Sequence, residues 1–259
     1  MSTPLSIMSW NVNSIRARLD HVLTWLYDHS PDVVCLQETK VEDRLFPKVP
    51  FLELGYTVNV HGGKALAGVA TLTKQAPDEV RSGFAQGEPD RHPRILVVRL
   101  GDVRIYNLYV PNGTEVGSDA FMYKLAWLRR LRAELDATAT PQDSIVIVGD
   151  FNVAPDDRDV WDPARFRGGL LFTAEEHAAL QHLQAFGLED CFRRHVSEGG
   201  RFSWFDYRTN ALELNEGARI DLVLATPPMA ARSLDVVQDT KPRSWDVPSD
   251  HVPVLARFQ

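Results

Sequence analysis

Short apolar runs, many of them rich in β-branched residues, recur from residue 5 to residue 258. They fall at 5–10, 33–37, 57–60, 69–73, 95–100, 103–110, 145–149, 220–225, 234–238 and 252–258. Their length and composition predict strands buried partly or wholly between layers. Helical periodicity fits 14–27, 120–137 and 174–186, the last opened by Thr173 as N-cap with Glu176 three residues on. Strands and helices interleave with no composition break and no long Pro/Ser/Gly linker. This predicts one α/β domain over residues 1–259, without internal repeats. Segments 78–93 and 155–171 read as surface loops.

With 44% hydrophobic and 24% charged residues, the chain can build a sizeable core. No apolar stretch is long enough to span a membrane, and the N-terminus lacks a basic start with an apolar run, so neither membrane insertion nor secretion is expected. The two cysteines, Cys35 and Cys191, match no metal or redox spacing. Cys35 lies in the run Val33-Val-Cys-Leu36 and reads as a reduced core thiol, which points to a cytoplasmic protein. The absence of a heptad or exposed apolar helix makes a monomer the expectation. A net charge of −7 argues against a protein that coats nucleic acid by bulk attraction. It leaves room for a nuclease, in which a metal ion and a local basic rim supply the field.

The informative pattern lies where the runs end. Trp10 is followed by Asn11 and Asn13. The 33–37 run leads into Glu38. The 103–110 run carries Tyr109 and continues to Pro111-Asn112-Gly113, and the 145–149 run delivers Asp150-Phe-Asn152. Ser249-Asp250-His251 precedes the last run, and Asp221 sits inside Ile220-Asp-Leu-Val-Leu224. Taken singly, an Asp or Asn after a strand is a turn former, Tyr109 a packing residue and His251 a surface histidine. Asp221 is harder to dismiss, because a carboxylate within an apolar run needs a buried partner. Six segments converging on the ends of strands, where layered α/β folds collect ligands, suggest a site.

Glu38, Asp150 and Asp250, with Asn11 and Asn152, make an oxygen-rich set suited to Mg²⁺, with Mn²⁺ as a substitute. With one histidine and no cysteine nearby, the set does not suit structural zinc. Asp221 and Asp250 suggest carboxylates that fix the His251 tautomer and raise its pKa, leaving a cation to stabilise a phosphoryl oxygen. No Gly-x-Ser-x-Gly elbow or Walker loop is present, so water is the expected nucleophile.

At these residues the sequence resembles the exonuclease III family of abasic-site endonucleases, within the deoxyribonuclease I-like phosphohydrolases. The resemblance is carried, in order and over nearly the whole chain, by Ser9-Trp-Asn-Val-Asn-Ser-Ile-Arg-Ala-Arg18, Pro31-Asp-Val-Val-Cys-Leu-Gln-Glu-Thr-Lys40, Tyr106-Asn-Leu-Tyr-Val-Pro-Asn-Gly113, Val148-Gly-Asp-Phe-Asn152, Arg201-Phe-Ser-Trp-Phe-Asp-Tyr-Arg208, Arg219-Ile-Asp221 and Pro248-Ser-Asp-His251. It implies a four-layered α/β sandwich: two mixed β-sheets packed face to face with helices outside. It implies a metal-dependent DNA repair nuclease that incises duplex DNA 5′ to abasic sites and trims 3′ ends, leaving a 3′-hydroxyl. By resemblance, the metal set would be Asn11, Glu38, Asp150, Asn152, Asp250 and His251. Asp150 would handle the proton of the attacking water, and Asn152 and Tyr109 would bind the phosphate. His251, oriented by Asp221, would stabilise the transition state.

Substrate contacts are expected from Arg94, Asn112, Lys124 and Arg208, and from Trp204 as the apolar wall that accepts an extruded abasic sugar. Phe202 reads equally as part of that wall and as a strand core residue. Other basic candidates for phosphate contact are Arg16, Arg18, Lys40, Lys64 and Arg243. The chain departs from the family pattern at Glu213 and Glu216, where basic residues are frequent, at Val247, where lysine is common, and at Ala67. Other readings are the same chemistry on an inositol phosphate, a lipid or RNA, and a catalytically silent relative; the aromatic 201–208 segment and the complete polar set argue against them.

Overall fold

The computed structural model describes residues 4–63 and 67–259. Two six-stranded mixed sheets carry the chain. The first runs, in spatial order, through Ser233–Gln238, Val254–Phe258, Leu5–Asn11, Val33–Gln37, Val69–Thr73 and Thr57–His61. The second runs through Glu79–Ser82, Ile95–Leu100, Val103–Tyr109, Ser144–Asp150, Asp221–Ala225 and Glu189–Asp190. A small ribbon pairs Trp204–Phe205 with Gly217–Ala218.

Each six-stranded sheet holds one parallel pair among antiparallel neighbours. In the first, Leu5–Asn11 pairs with Val33–Gln37, joined by the helix Ile15–His29. In the second, Val103–Tyr109 pairs with Ser144–Asp150, joined by the helix Asp119–Thr138. Parallel partners need such crossovers, and their carboxyl ends then emerge side by side. Asn11 and Glu38 therefore leave one sheet where Tyr109 and Asp150 leave the other.

Side-chain alternation builds the layers. Ile7, Val33, Cys35, Val146 and Val148 point between the sheets. Met8, Trp10, Val34 and Leu36 point outward onto Val22, Trp25 and Leu26 of the first helix. Tyr106, Ile145 and Ile147 do the same against Leu128, Leu131 and Leu183 on the opposite side. Each fully buried Val, Leu, Ile or Phe contributes roughly 1.5–3 kcal/mol. Because the inner strands of both sheets are covered on both faces, they read as unbroken apolar runs.

Three expectations change. Within 78–93, read as a loop, Glu79–Ser82 forms an edge strand against Ile95–Leu100; it is largely exposed and so lacks an apolar pattern. The last strand begins at Val254 rather than 252, since Pro253 has no N–H for the ladder. Segment 155–171 holds a 3₁₀ turn, Asp157–Asp159, and a one-turn helix, Pro163–Phe166, each capped by an aspartate. The Thr173–Glu176 capping box forms as expected. Among the described residues, no helix is long and apolar enough to cross a membrane.

Candidate active site

The side chains that converge do so because several backbones turn sharply at the strand ends. Glu38 (φ 49°), Lys40 (φ 51°), Asn13 (φ 45°) and Asn152 (φ 51°) all adopt left-handed conformations. Asparagine tolerates this; for glutamate and lysine it is strain that the surroundings must hold. Gly149, just before Asp150, is the one residue that fits its place. A Cβ there would lie 1.9 Å from Leu108 O, so the two parallel strands could not close.

Asn11 links the two sheets. Its Nδ2 donates to Glu38 Oε1 and to Asp150 Oδ2, both at 2.9 Å. Asp150, 1% exposed, also accepts from the backbone N–H of Asn152 at 2.8 Å and from its Nδ2 at 3.2 Å. Asn112 Nδ2 in turn donates to Asn152 Oδ1 at 3.0 Å, so the exposed Asn112 and the buried Asn152 move as a unit. Lys40 Nζ lies 2.8 Å from Glu38 Oε2. Arg94 stacks over the Tyr109 ring, its Cζ 4.6 Å from the centroid, and donates to Tyr109 O at 3.2 Å.

His251 is enclosed by carboxylates. Nδ1 lies 2.8 Å from Asp221 Oδ2, and Nε2 lies 3.7 Å from Asp150 Oδ2. Burial alone would lower its pKa; Asp221 and Asp150 override that and raise it to about 10, so the ring is cationic at neutral pH. Asp150 is pushed the other way. Burial raises it, His251 opposes, and the nearby Asp221 and Glu38 add to the rise, bringing it to about 7. Tyr109 is raised far above a normal phenol by burial, then by Glu38 and Asp150, so it keeps its proton. For Asp250, burial is outweighed by His251 and by the donors Trp204 and Asn13, and its pKa is lowered. Trp204 Nε1 donates to Asp250 Oδ2 at 3.0 Å and Asn13 Nδ2 to Oδ1 at 3.1 Å.

The donor set fits a divalent cation. Glu38, Asp150, Asp221 and Asp250 bring four carboxyl groups together around Lys40 and His251. Asp221 Oδ1 is buried without a hydrogen-bond partner. Asp150 and Asp221 place carboxylate oxygens within 4.8 Å of one another and of a His251 nitrogen; with the ring protonated, the carboxylates are the donors open to a cation. Oxygen donors in excess of nitrogen suit a hard cation.

Not every expected contact survives. Lys124 is fully buried and cannot reach a substrate. Its Nζ donates to Asn152 O at 2.6 Å, Asn112 O at 3.2 Å and the Glu176 carboxylate, because the glutamate that caps the 174–184 helix is itself buried and needs a cation. Phe202, 3% exposed, packs with Phe205, Ala211 and Val252 and does not line the site. Trp204 is half-buried beside Asp250. Arg208 is exposed and paired with Asp206. Arg18 ties Asn13 O to Pro248 O, joining two site loops. Lys64 lies outside the described residues.

Asn13 and Ser249 were not assigned roles from sequence, yet both hold the site together. Ser249 Oγ donates to Asn11 O at 2.7 Å and accepts from the N–H of His251 at 3.3 Å. Its position directly before Asp250-His251 was the available signal. Lys124→Met should destabilise the protein by about 3 kcal/mol, since Glu176 would stay buried without its counter-ion. Adding Glu176→Leu should recover most of that, as read by thermal denaturation; equal stability of the single variant and wild type would refute the pairing argument.

The chain is 36% identical to the exodeoxyribonuclease III of Haemophilus influenzae, over 98% of this chain and 100% of that one. An AP endonuclease from Archaeoglobus fulgidus superposes with a TM-score of 0.94 at 37% identity, covering 98% of this chain and 99% of that one. A 3′ phosphatase from Neisseria, solved bound to a product DNA hairpin, superposes equally well at 34% identity, covering 98% and 99%. The model of the Endonuclease/Exonuclease/phosphatase family matches residues 8–251, which takes in every residue of the site just described, and the chain belongs to that family.

Proposed function

We propose that this protein is a DNA repair nuclease that hydrolyses phosphodiesters of duplex DNA 5′ to abasic sites and removes nucleotides or blocking groups from 3′ ends, leaving a 3′-hydroxyl. It would act as a monomer, in the cytoplasm, through one catalytic domain over residues 1–259. The observation that carries the reading is His251 held between Asp221 and Asp150, with Asp150 joined through Asn11 to Glu38 of the other sheet. The relatives named exodeoxyribonuclease III, AP endonuclease and 3′ phosphatase support the substrate. The two buried, unbonded cysteines support a reducing compartment.

In this reading Glu38 and Asp150, with Asn11 and Asp250 beside them, would hold Mg²⁺ or Mn²⁺, which supplies polarisation and charge neutralisation at a phosphoryl oxygen. Asp150, whose pKa is raised in the metal-free protein by burial and by Asp221 and Glu38, accepts the proton of the attacking water. Asn152, braced by Asn112, orients Asp150 and meets the phosphate. Tyr109 keeps its proton and donates it as a hydrogen bond to a phosphoryl or leaving oxygen. His251, its Nδ1 fixed on Asp221, presents Nε2–H to the charge that develops on phosphorus. As a cation it would stabilise that charge without serving as a metal ligand. Trp204 closes the apolar side, where an abasic sugar fits and a base-bearing nucleotide is excluded. Arg94 and Arg208 meet flanking phosphates.

A duplex carrying one tetrahydrofuran abasic analogue tests the reading. Incision is expected with Mg²⁺ or Mn²⁺ and should vanish with chelator; a protein that never cuts this substrate is not an abasic-site nuclease. Segment 209–218 adds a second prediction. Glu213 is exposed there. Glu213→Lys should tighten duplex binding and steepen its salt dependence by about one unit in log K against log salt. Fluorescence anisotropy across a salt series measures both, and an unchanged slope would place the segment away from DNA.

A further inference from the structure

The two sheets meet through a largely apolar layer that is interrupted by a pair of buried amides. Gln37 and Asn107, neither with exposed surface, lie among Ile7, Val33, Cys35, Ile105, Val146 and Val148. Gln37, from the first sheet, donates Nε2 across the gap to Asn107 Oδ1 at 2.8 Å, and to Ser9 Oγ and Cys35 O at 3.1 Å. Asn107, from the second, returns Nδ2 to Ala70 O at 2.9 Å and to Leu36 O and Thr71 Oγ1 at 3.2 Å. All the acceptors of the Asn107 amide belong to the first sheet.

An apolar layer tolerates sliding, because one methyl contact replaces another. A buried amide pair does not: displacement leaves donors unpaired where no water can reach them. The pair also sits one step below the site. Gln37 precedes Glu38, and Asn107 lies two residues before Tyr109, opposite Val148, itself two residues before Asp150. Stability alone does not account for it. Gln37 Oε1 is buried without a partner, a cost that an apolar pair of the same volume would not carry.

We propose that Gln37 and Asn107 are positioning residues, an inter-sheet clamp that holds Glu38 and Asn11 of one sheet at a fixed offset from Tyr109 and Asp150 of the other. The inference rests on the nuclease reading for its kinetic readout. Displacement of a reacting group by about 1 Å can lower rate a hundredfold, so a modest slip between sheets is enough to matter.

The test replaces both amides at once. Gln37→Met with Asn107→Leu keeps volume and leaves no unpaired amide, so thermal stability should stay near wild type. Turnover on the abasic duplex should fall at least about tenfold with KM changed less than about twofold, and Mn²⁺ binding to the free protein, read by calorimetry, should weaken by about tenfold. A folded double variant with wild-type turnover and Mn²⁺ affinity overturns the proposal. Gln37→Asn, too short to reach Asn107, should lose turnover as well, and adding Asn107→Gln should restore most of it; full activity in the first or no restoration in the second counts equally against the clamp. An inactive wild type would sink the nuclease reading instead, and the Mn²⁺ measurement would then judge the clamp by itself.

Discussion

Asp150→Asn is expected to lower turnover on an abasic-site duplex at pH 8 by about 10³-fold or more, while raising the melting temperature of the metal-free protein. The two effects share one cause. Asp150 is buried, with His251 opposing and Asp221 and Glu38 reinforcing a rise in its pKa from 3.8 to about 7. The folded carboxyl thus holds its proton more tightly than the unfolded one. Stability is full below the unfolded value and falls as pH rises through the interval from about 4 to about 7. At pH 8 the metal-free protein carries that whole penalty, and an uncharged amide of the same shape removes it. The same substitution removes the base that takes the proton from water, and halves the charge that Asp150 and Glu38 together offer a cation. Added Mg²⁺ should therefore raise the melting temperature of wild type and have much less effect on the variant. Retention of most activity, or a lower melting temperature at pH 8 without metal, would show that Asp150 is not the strained carboxylate inferred from its surroundings.

That strain is legible in the sequence, and the reason is specific. Val148-Gly-Asp150 and Ile220-Asp-Leu222 each place a carboxylate against an apolar strand buried on both faces, where an unpaired charge cannot stay. Strands of this kind also announce themselves as apolar runs, so most strands, with Asn11, Glu38, Tyr109 and Asp150 at their ends, are legible in the pattern, whereas the packing of two sheets is implied by the family resemblance. What escaped was set by partners distant in sequence. Nothing local marks Lys124 as buried: it lies on a helix with Arg129, Arg130 and Arg132, and only Glu176, 52 residues on, draws it inward. The same holds for Arg219, fully buried against Asp159 and Asp190, which anchors the strand that carries Asp221. Phe202 looks like a wall and is core because Ala211 and Val252 close over it. Glu79–Ser82 was missed for the opposite reason, since an edge strand exposed to water has no apolar alternation to read.

His251→Asn is the second large effect. Turnover should fall by about 10³-fold, because a preorganised cationic donor to the phosphoryl oxygen is removed. The pH behaviour distinguishes this role from simple packing. Burial works against the charged ring, but Asp221 and Asp150 raise its pKa from 6.5 to about 10. A base whose folded pKa lies above its unfolded value gives stability that is complete below about 6.5 and disappears as pH climbs through about 10. Wild-type melting temperature should decline over that window, and His251→Asn should flatten the decline. Asp221→Asn is the sharper experiment. It leaves the imidazole in place and takes away its closest anion, at 2.8 Å, so the ring should lose its proton nearer neutrality. The alkaline limb of the rate profile is then expected to move down by one or more pH units, towards the acid limb set by Asp150, so that the pH range of activity narrows. An alkaline limb that stays where wild type has it would mean that the charge on His251 is not what the reaction uses, and that Asp221 serves only to orient the ring.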